Sequence, residues 1–404
     1  MRPLRIWTRM ALINLAIVAF LGLSLRGKIV FFMPFIDFKY LMHAHSHFAF
    51  GGWVTLVLLA LMTYRILPES MYRKPVYQWL LGGIVVNAYG MLLSFPFQGY
   101  GFYSILFSTL FIFVTYGYTF VFVRDILRTA VSGPVKALAT GAVSYMALSS
   151  VGAFTLAGLL ATKSKNIILY KDAIYTYLHL QYNGFFTLAL FAIILHYLKA
   201  SDRRTRLFAL LLNVSVIPSM FISYLWHHPH PATETIAIVG SMLAGAAAIV
   251  FLSAMYLNKG LYTALKPVAR GVLSIAMAAF VLKMIFQALT IIPSLGALVF
   301  YNRPVIIGFL HLVLLGFVTL GLLSFFVQTG LLDSRRRSRF GLWLFVGGVV
   351  LNELVLFLQG LGFMLMLSSA ISNWLLLTAA AILFTGALLM ALHRPEEQSL
   401  NSFS

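Results

Sequence analysis

Runs of about 20 mostly apolar residues, broken by short polar turns, recur along the whole of this chain. They lie near 7–25, 45–66, 76–97, 102–123, 141–162, 175–198, 206–226, 235–257, 269–292, 304–327, 340–366 and 370–392. Each run is long enough to cross a bilayer, so the pattern predicts twelve transmembrane helices and an all-α, polytopic fold. No linker, low-complexity tract or clear internal repeat interrupts it. The expectation is a single transmembrane domain over 1–404, with 394–404 as a short polar tail. The first run follows Met1-Arg2-Pro3-Leu4-Arg5 and mimics a signal peptide. It lacks a convincing small-x-small cleavage site and is read as a retained helix.

Composition supports the pattern. Hydrophobic residues make up 61% of the chain and charged residues 10%, with mean hydropathy +0.93, far from the globular range. There is no cysteine. This excludes disulfides, thiolate metal sites and covalent haem attachment through CxxCH. The net charge of +19 would suggest nucleic acid, but its placement argues otherwise. Arginine and lysine gather in alternate loops: Arg2, Arg5 and Arg9; Arg65, Arg73 and Lys74; Arg124, Arg128 and Lys136; Lys199, Arg203, Arg204 and Arg206; Lys259, Lys266 and Arg270; Arg335, Arg336, Arg337 and Arg339; and Arg394. The opposite loops hold Arg26, Lys28, Lys39, Lys163, Lys165, Lys171 and Arg303. By the positive-inside rule this predicts a bacterial inner-membrane protein with both termini cytoplasmic. Its partner is the lipid bilayer, not nucleic acid.

Drawn on that topology, eight of the ten histidines fall at one membrane level. His43, His45 and His47 lie at the outer start of helix 2, and His179 near the outer start of helix 6. His227 and His228 close helix 7, with His230 just beyond, and His311 lies about two turns into helix 10. His196 is at the other face, about 25 Å from His179 along a helix. Imidazole tolerates a membrane interface, and each histidine alone could be a wet end-cap. As a layer they read as a metal or haem site, because lysine and arginine avoid that side while imidazole crowds it. His179 and His311 also sit inside apolar helices, where an unpaired polar group is expensive. Imidazole is a common ligand for iron and copper.

Other polar groups lie within the spans. Lys283, with Gln287 one turn on, can snorkel to the interface or act as a counter-charge to a haem propionate or a bound anion. Glu353 beside Asn352 is either protonated and hydrogen-bonded or a station on a proton path. Asn87 and Asn213 read as helix–helix hydrogen-bonding groups.

The helix order and histidine placement resemble the catalytic subunit of haem–copper oxidases, together with nitric oxide reductases and NnrS-type membrane proteins. His179-Leu180-Gln181-Tyr182-Asn183-Gly184 looks like the nitric oxide reductase motif His-Leu-Trp-Val-Glu-Gly, and His227-His228 matches the adjacent pair of that superfamily. His43-Ala44-His45-Ser46-His47-Phe48-Ala49-Phe50-Gly51 is similar to the His-Ala-His-Glu-Met-Leu-Phe-Gly-Phe segment of NnrS-type proteins, as is Leu310-His311-Leu312 to their later Leu-His segment. The resemblance implies a haem–copper-oxidase-like bundle in which His179, His227 and His228 hold copper, with His230 in reserve. His311 and one of His43, His45 or His47 would hold a b-type haem. The family match favours His43 and His45, whereas the shared helical face favours His43 and His47, so His43 is the first choice. The sequence departs from the family at Phe309, where oxidases have a second histidine. It departs again at Asn183, where the family has a tyrosine or glutamate and Tyr182 stands one residue early.

The implied function is a membrane redox protein binding or reducing oxygen or nitric oxide near the outer face, fed by a cytochrome or quinol. If it is an enzyme, it is an oxidoreductase. The alternatives are a non-enzymatic haem- or copper-binding protein of the NnrS kind, acting in nitrosative stress, and a metal transporter.

Overall fold

The computed structural model describes residues 2–35, 37–225, 230–257, 259–332, 335–364 and 370–392. Among them are twelve helices long and apolar enough to span a membrane. They are α1 (Pro3–Val30), α2 (Phe38–Ile66), α3 (Pro75–Gln98), α4 (Phe102–Leu127), α5 (Gly133–Ala161), α6 (Ile167–Tyr197), α7 (Arg203–Tyr224), α8 (Pro231–Leu257), α9 (Pro267–Leu289), α10 (Arg303–Thr329), α11 (Arg336–Gly362) and α12 (Ala370–Ala391). No strand occurs among the described residues. The chain is an all-α, multi-pass membrane bundle, as the apolar pattern requires.

Two helices begin earlier than hydropathy alone indicates, because side-chain caps carry them into polar sequence. The Asp37 carboxylate accepts from the Tyr40 N–H at 2.9 Å, and the Asn166 amide oxygen accepts from the Leu169 N–H at 3.0 Å. His43, His45 and His47 therefore lie one to three turns inside α2, and His179 about three turns inside α6, rather than at their starts.

Helices α2 and α6 form the interior. Across their middles 78% and 83% of residues are buried, against 17% for α4 at the periphery. Helix α6 touches neighbours on every side. Phe50 of α2 packs edge-on against Phe186, Gln181 donates to Ser149 of α5, and Gly321 of α10 lies against Leu190. Helix α10 joins α2 at mid-depth, where the Trp53 Nε1–H donates to Thr319 Oγ1 at 2.9 Å. On the arginine-rich side of the core, Phe191, Phe208, Phe251, Phe280 and Phe317 come from α6, α7, α8, α9 and α10 and form one aromatic knot. Its ring centroids stand 4.9–5.8 Å apart. Lipid tails are as apolar as these rings, so the knot holds by close contact rather than by exclusion of water.

The arginine-rich end is fastened by ions. The Asp125 carboxylate, fully buried on α4, accepts from Lys74 Nζ at 2.7 Å to each oxygen, from the Tyr77 hydroxyl at 3.0 Å and from Arg124 at 3.3 Å. This pins the start of α3 to the end of α4.

Candidate functional site

The three interior helices change character at the level of the histidines. Wide π-helical turns occupy Ala49–Thr55 in α2, Leu180–Phe186 in α6 and Leu312–Thr319 in α10. Each begins within two residues of His47, His179 or His311. Each contains a glycine, namely Gly51, Gly184 or Gly316. At Gly184 a Cβ would stand 2.6 Å from Cβ of Tyr145, so only glycine admits the close approach of α5 there. A π turn inserts one residue, about 100° of rotation, between the two halves of a helix. The repeated His-x3-Gly and His-x4-Gly spacing was visible in the sequence but not read as this signal.

Below these turns the helices are sealed, and above them they are not. Residues 316–327 of α10 are all buried, whereas no residue of Arg303–His311 is. That half of α10 lies mainly along α11, and its Arg303 reaches α2, with a guanidinium nitrogen 3.5 Å from Met42 Sδ and the group over the Phe38 ring. The half of α10 that ends on His311 is therefore less tightly enclosed than the half that follows it.

The structure divides the three histidines of α2 between two faces, as their spacing requires. The His45 ring turns toward α1, where its Nδ1 lies 3.1 Å from the Val18 carbonyl oxygen and Gly22 leaves room for the ring edge. Donation from Nδ1–H leaves the Nε2 lone pair uncommitted, the arrangement found when imidazole ligates a metal. His45 and Arg26 act electrostatically on His311, whose buried Nδ1 has no hydrogen-bond partner. His43 and His47 point the other way, into the corner of α3 and α4. The His47 ring stacks on Phe95 at 4.5 Å with its Nε2 3.2 Å from the Tyr100 hydroxyl. Burial, with the nearby Tyr170 phenol, pushes Tyr100 up to about 12, so it stays protonated and can donate to His47. His43 sits edge-on to Tyr100 at 4.7 Å, with its buried Nε2 unpartnered. Two residues, about 200° of helix, separate these faces, so His45 lies toward α1 while His43 lies toward α3.

Of the residues expected to hold copper, His179 and His230 are among the described residues. His227 and His228 lie outside the described residues. His179 is buried with both nitrogens engaged: Nε2 lies 2.9 Å from the Val216 carbonyl of α7, and Nδ1 3.1 Å from Asn183 Nδ2. His230 is exposed, and its Nδ1 accepts from the Ala232 N–H at 3.2 Å at the start of α8. Among the described residues no three His, Asp or Glu side chains converge as a metal site. Tyr182 packs between His179 and Phe309, with centroids at 5.8 and 5.9 Å.

The remaining polar groups separate by role. The Asn213 amide donates to the Ala137 carbonyl at 2.8 Å and so joins α7 to α5. Asn87 instead donates to Gly83 on its own helix at 2.8 Å, correcting its reading as an interhelical group; the carbonyl one turn back is the nearer acceptor. Glu353 accepts from its neighbour Asn352 at 3.0 Å. Lys283 is buried, and Gln287 accepts from Asn183 at 3.2 Å. No family model and no curated protein matches this chain.

Proposed function

We propose that this protein holds a b-type haem between α2 and α10 and serves as a membrane redox protein related to the haem–copper oxidase and NnrS-type proteins. The observation that carries the reading is the pair His45 and His311: two imidazoles in electrostatic reach of each other, one fixed by a backbone carbonyl and the other with a buried nitrogen unused. An unpartnered buried nitrogen costs roughly 1–3 kcal/mol, a cost that ligation would remove. The donor set fits a haem, since two neutral imidazoles from facing helices are a common axial pair. When bound, the haem supplies a one-electron couple at the histidine end of the bundle. His45 and His311 would hold it, with the Val18 carbonyl fixing the His45 tautomer.

Copper fits less well. His179 would have to release Val216 or Asn183 before it ligated an ion. This favours the non-enzymatic reading, haem binding with electron transfer, over reduction of oxygen or nitric oxide at a second metal. The electron donor is a cytochrome or quinol, since a chain without cysteine cannot build a dinuclear copper entry site. The arginine-rich loops face the cytoplasm of a bacterial inner membrane, and the histidine end faces outward. Reporter fusions after Arg339 should read cytoplasmic and fusions after His230 external; the reverse would place the haem at the wrong face. Haem content of the purified protein tests the reading itself. About one b-type haem per chain is expected, and a preparation that takes up none when haem is supplied would favour the transporter reading.

A further inference from the structure

Lys283 poses a problem that the haem reading does not address. It lies in the histidine-side half of α9 at 1% accessibility, and no carboxylate among the described residues pairs with it. Its ammonium meets the face of the Phe280 ring, 5.7 Å from the centroid, which offsets part of the desolvation of a buried cation but leaves its N–H groups without acceptors.

The surrounding hydrogen bonds have a fixed direction. His179 Nε2 faces the Val216 carbonyl, which only accepts, so Nε2 carries the proton and Nδ1 is an acceptor. The Asn183 amide donates to that Nδ1 and to Gln287 Oε1 at 3.2 Å. With Oε1 committed, the Gln287 NH2 group points away from Asn183 and has no acceptor. Gln287 is one turn beyond Lys283 on the same face of α9 and is half-buried. Asn183 Oδ1, the acceptor left in the network, makes no bond with Lys283. Two sets of donors, one charged, thus lie side by side in an apolar wall.

We infer that Lys283 and Gln287 form a binding site for a small inorganic anion, with the Lys283 ammonium supplying the charge and the Gln287 amide the directional bond. The anion completes the polar chain that runs from Val216 through His179, Asn183 and Gln287. Its site is distinct from the His45–His311 pair and does not depend on haem.

Bromide is a suitable probe. The purified protein is melted in sodium bromide and in sodium gluconate at constant ionic strength, alongside K283M, Q287L and H45A. Anomalous diffraction at the bromine edge locates the ion. The melting temperature should climb with the logarithm of bromide concentration above the dissociation constant. K283M should lose this response, Q287L should need several-fold more bromide, and H45A should respond as the wild type does. An anomalous peak should lie beside Lys283. Melting indifferent to bromide, or a bromide response retained in K283M, would overturn the inference. So would a K283M protein that loses haem while its bromide response is intact, since Lys283 would then serve a haem carboxylate. If K283M does not fold, Q287L and the anomalous peak decide alone.

Discussion

Replacing Asn183 with leucine removes one side chain and breaks two buried bonds. Asn183 is 7% accessible, and its amide donates to His179 Nδ1 at 3.1 Å and to Gln287 Oε1 at 3.2 Å. Leucine is similar in size and creates little cavity. The two orphaned acceptors do not weigh equally. Gln287 is half-buried and can rehydrate, so its loss is small. His179 is 2% accessible and cannot. Moving its proton to Nδ1 would set a bare Nε2 against the Val216 carbonyl 2.9 Å away, offset only in part by the Ser219 hydroxyl at 3.3 Å. An unsatisfied buried acceptor costs about 1–3 kcal/mol, and N183L should therefore lose about 1–3 kcal/mol of stability. Chemical unfolding in detergent micelles, followed by tryptophan fluorescence, measures it. The double variant N183L/H179L, which removes both sides of the bond, should recover part of the loss. An N183L protein within about 0.5 kcal/mol of wild type would refute the reasoning and return His179 to the pool of free metal ligands.

Three further outcomes follow from the packing. F191A removes the centre of the five-ring knot and should cost about 3–5 kcal/mol in the same unfolding assay. G240A should destabilise by about 1–3 kcal/mol, because its Cβ would lie 2.2 Å from the Ser219 backbone nitrogen of α7; G245A on the same helix, with nothing within 4 Å, should be neutral or slightly stabilising. D125A strips the acceptor from Lys74, Tyr77 and Arg124 and should cost about 2–4 kcal/mol, tempered because Lys74 is one-third exposed; K74M, which leaves Asp125 two donors, should cost less.

The spans were legible because length and apolarity alone specify them. Their starts were not, since Asp37 and Asn166 carry α2 and α6 into polar sequence that a hydropathy average discounts. The common level of the histidines on α2, α6 and α10 followed from topology. Which histidine faces which did not: the choice between His43 and His45 depends on how α2 is rotated, and a two-residue step of about 200° exchanges them. The π turns after His47, His179 and His311 were hidden because a 3.6-residue period was assumed throughout. The engagement of His179 depends on a carbonyl of α7, a contact that no local pattern encodes.

The most direct measurement of the central claim is the visible and electron-paramagnetic-resonance spectrum of the haem-loaded protein and its variants H45A, H311A, H43A and H196A. The wild type should show a Soret band and the sharp reduced α band of a six-coordinate, low-spin bis-histidine haem. H45A and H311A should each lose the low-spin signature, while H43A and H196A should keep it. Low-spin spectra that survive in both H45A and H311A, or that fail in H43A but not in H45A, would contradict the account.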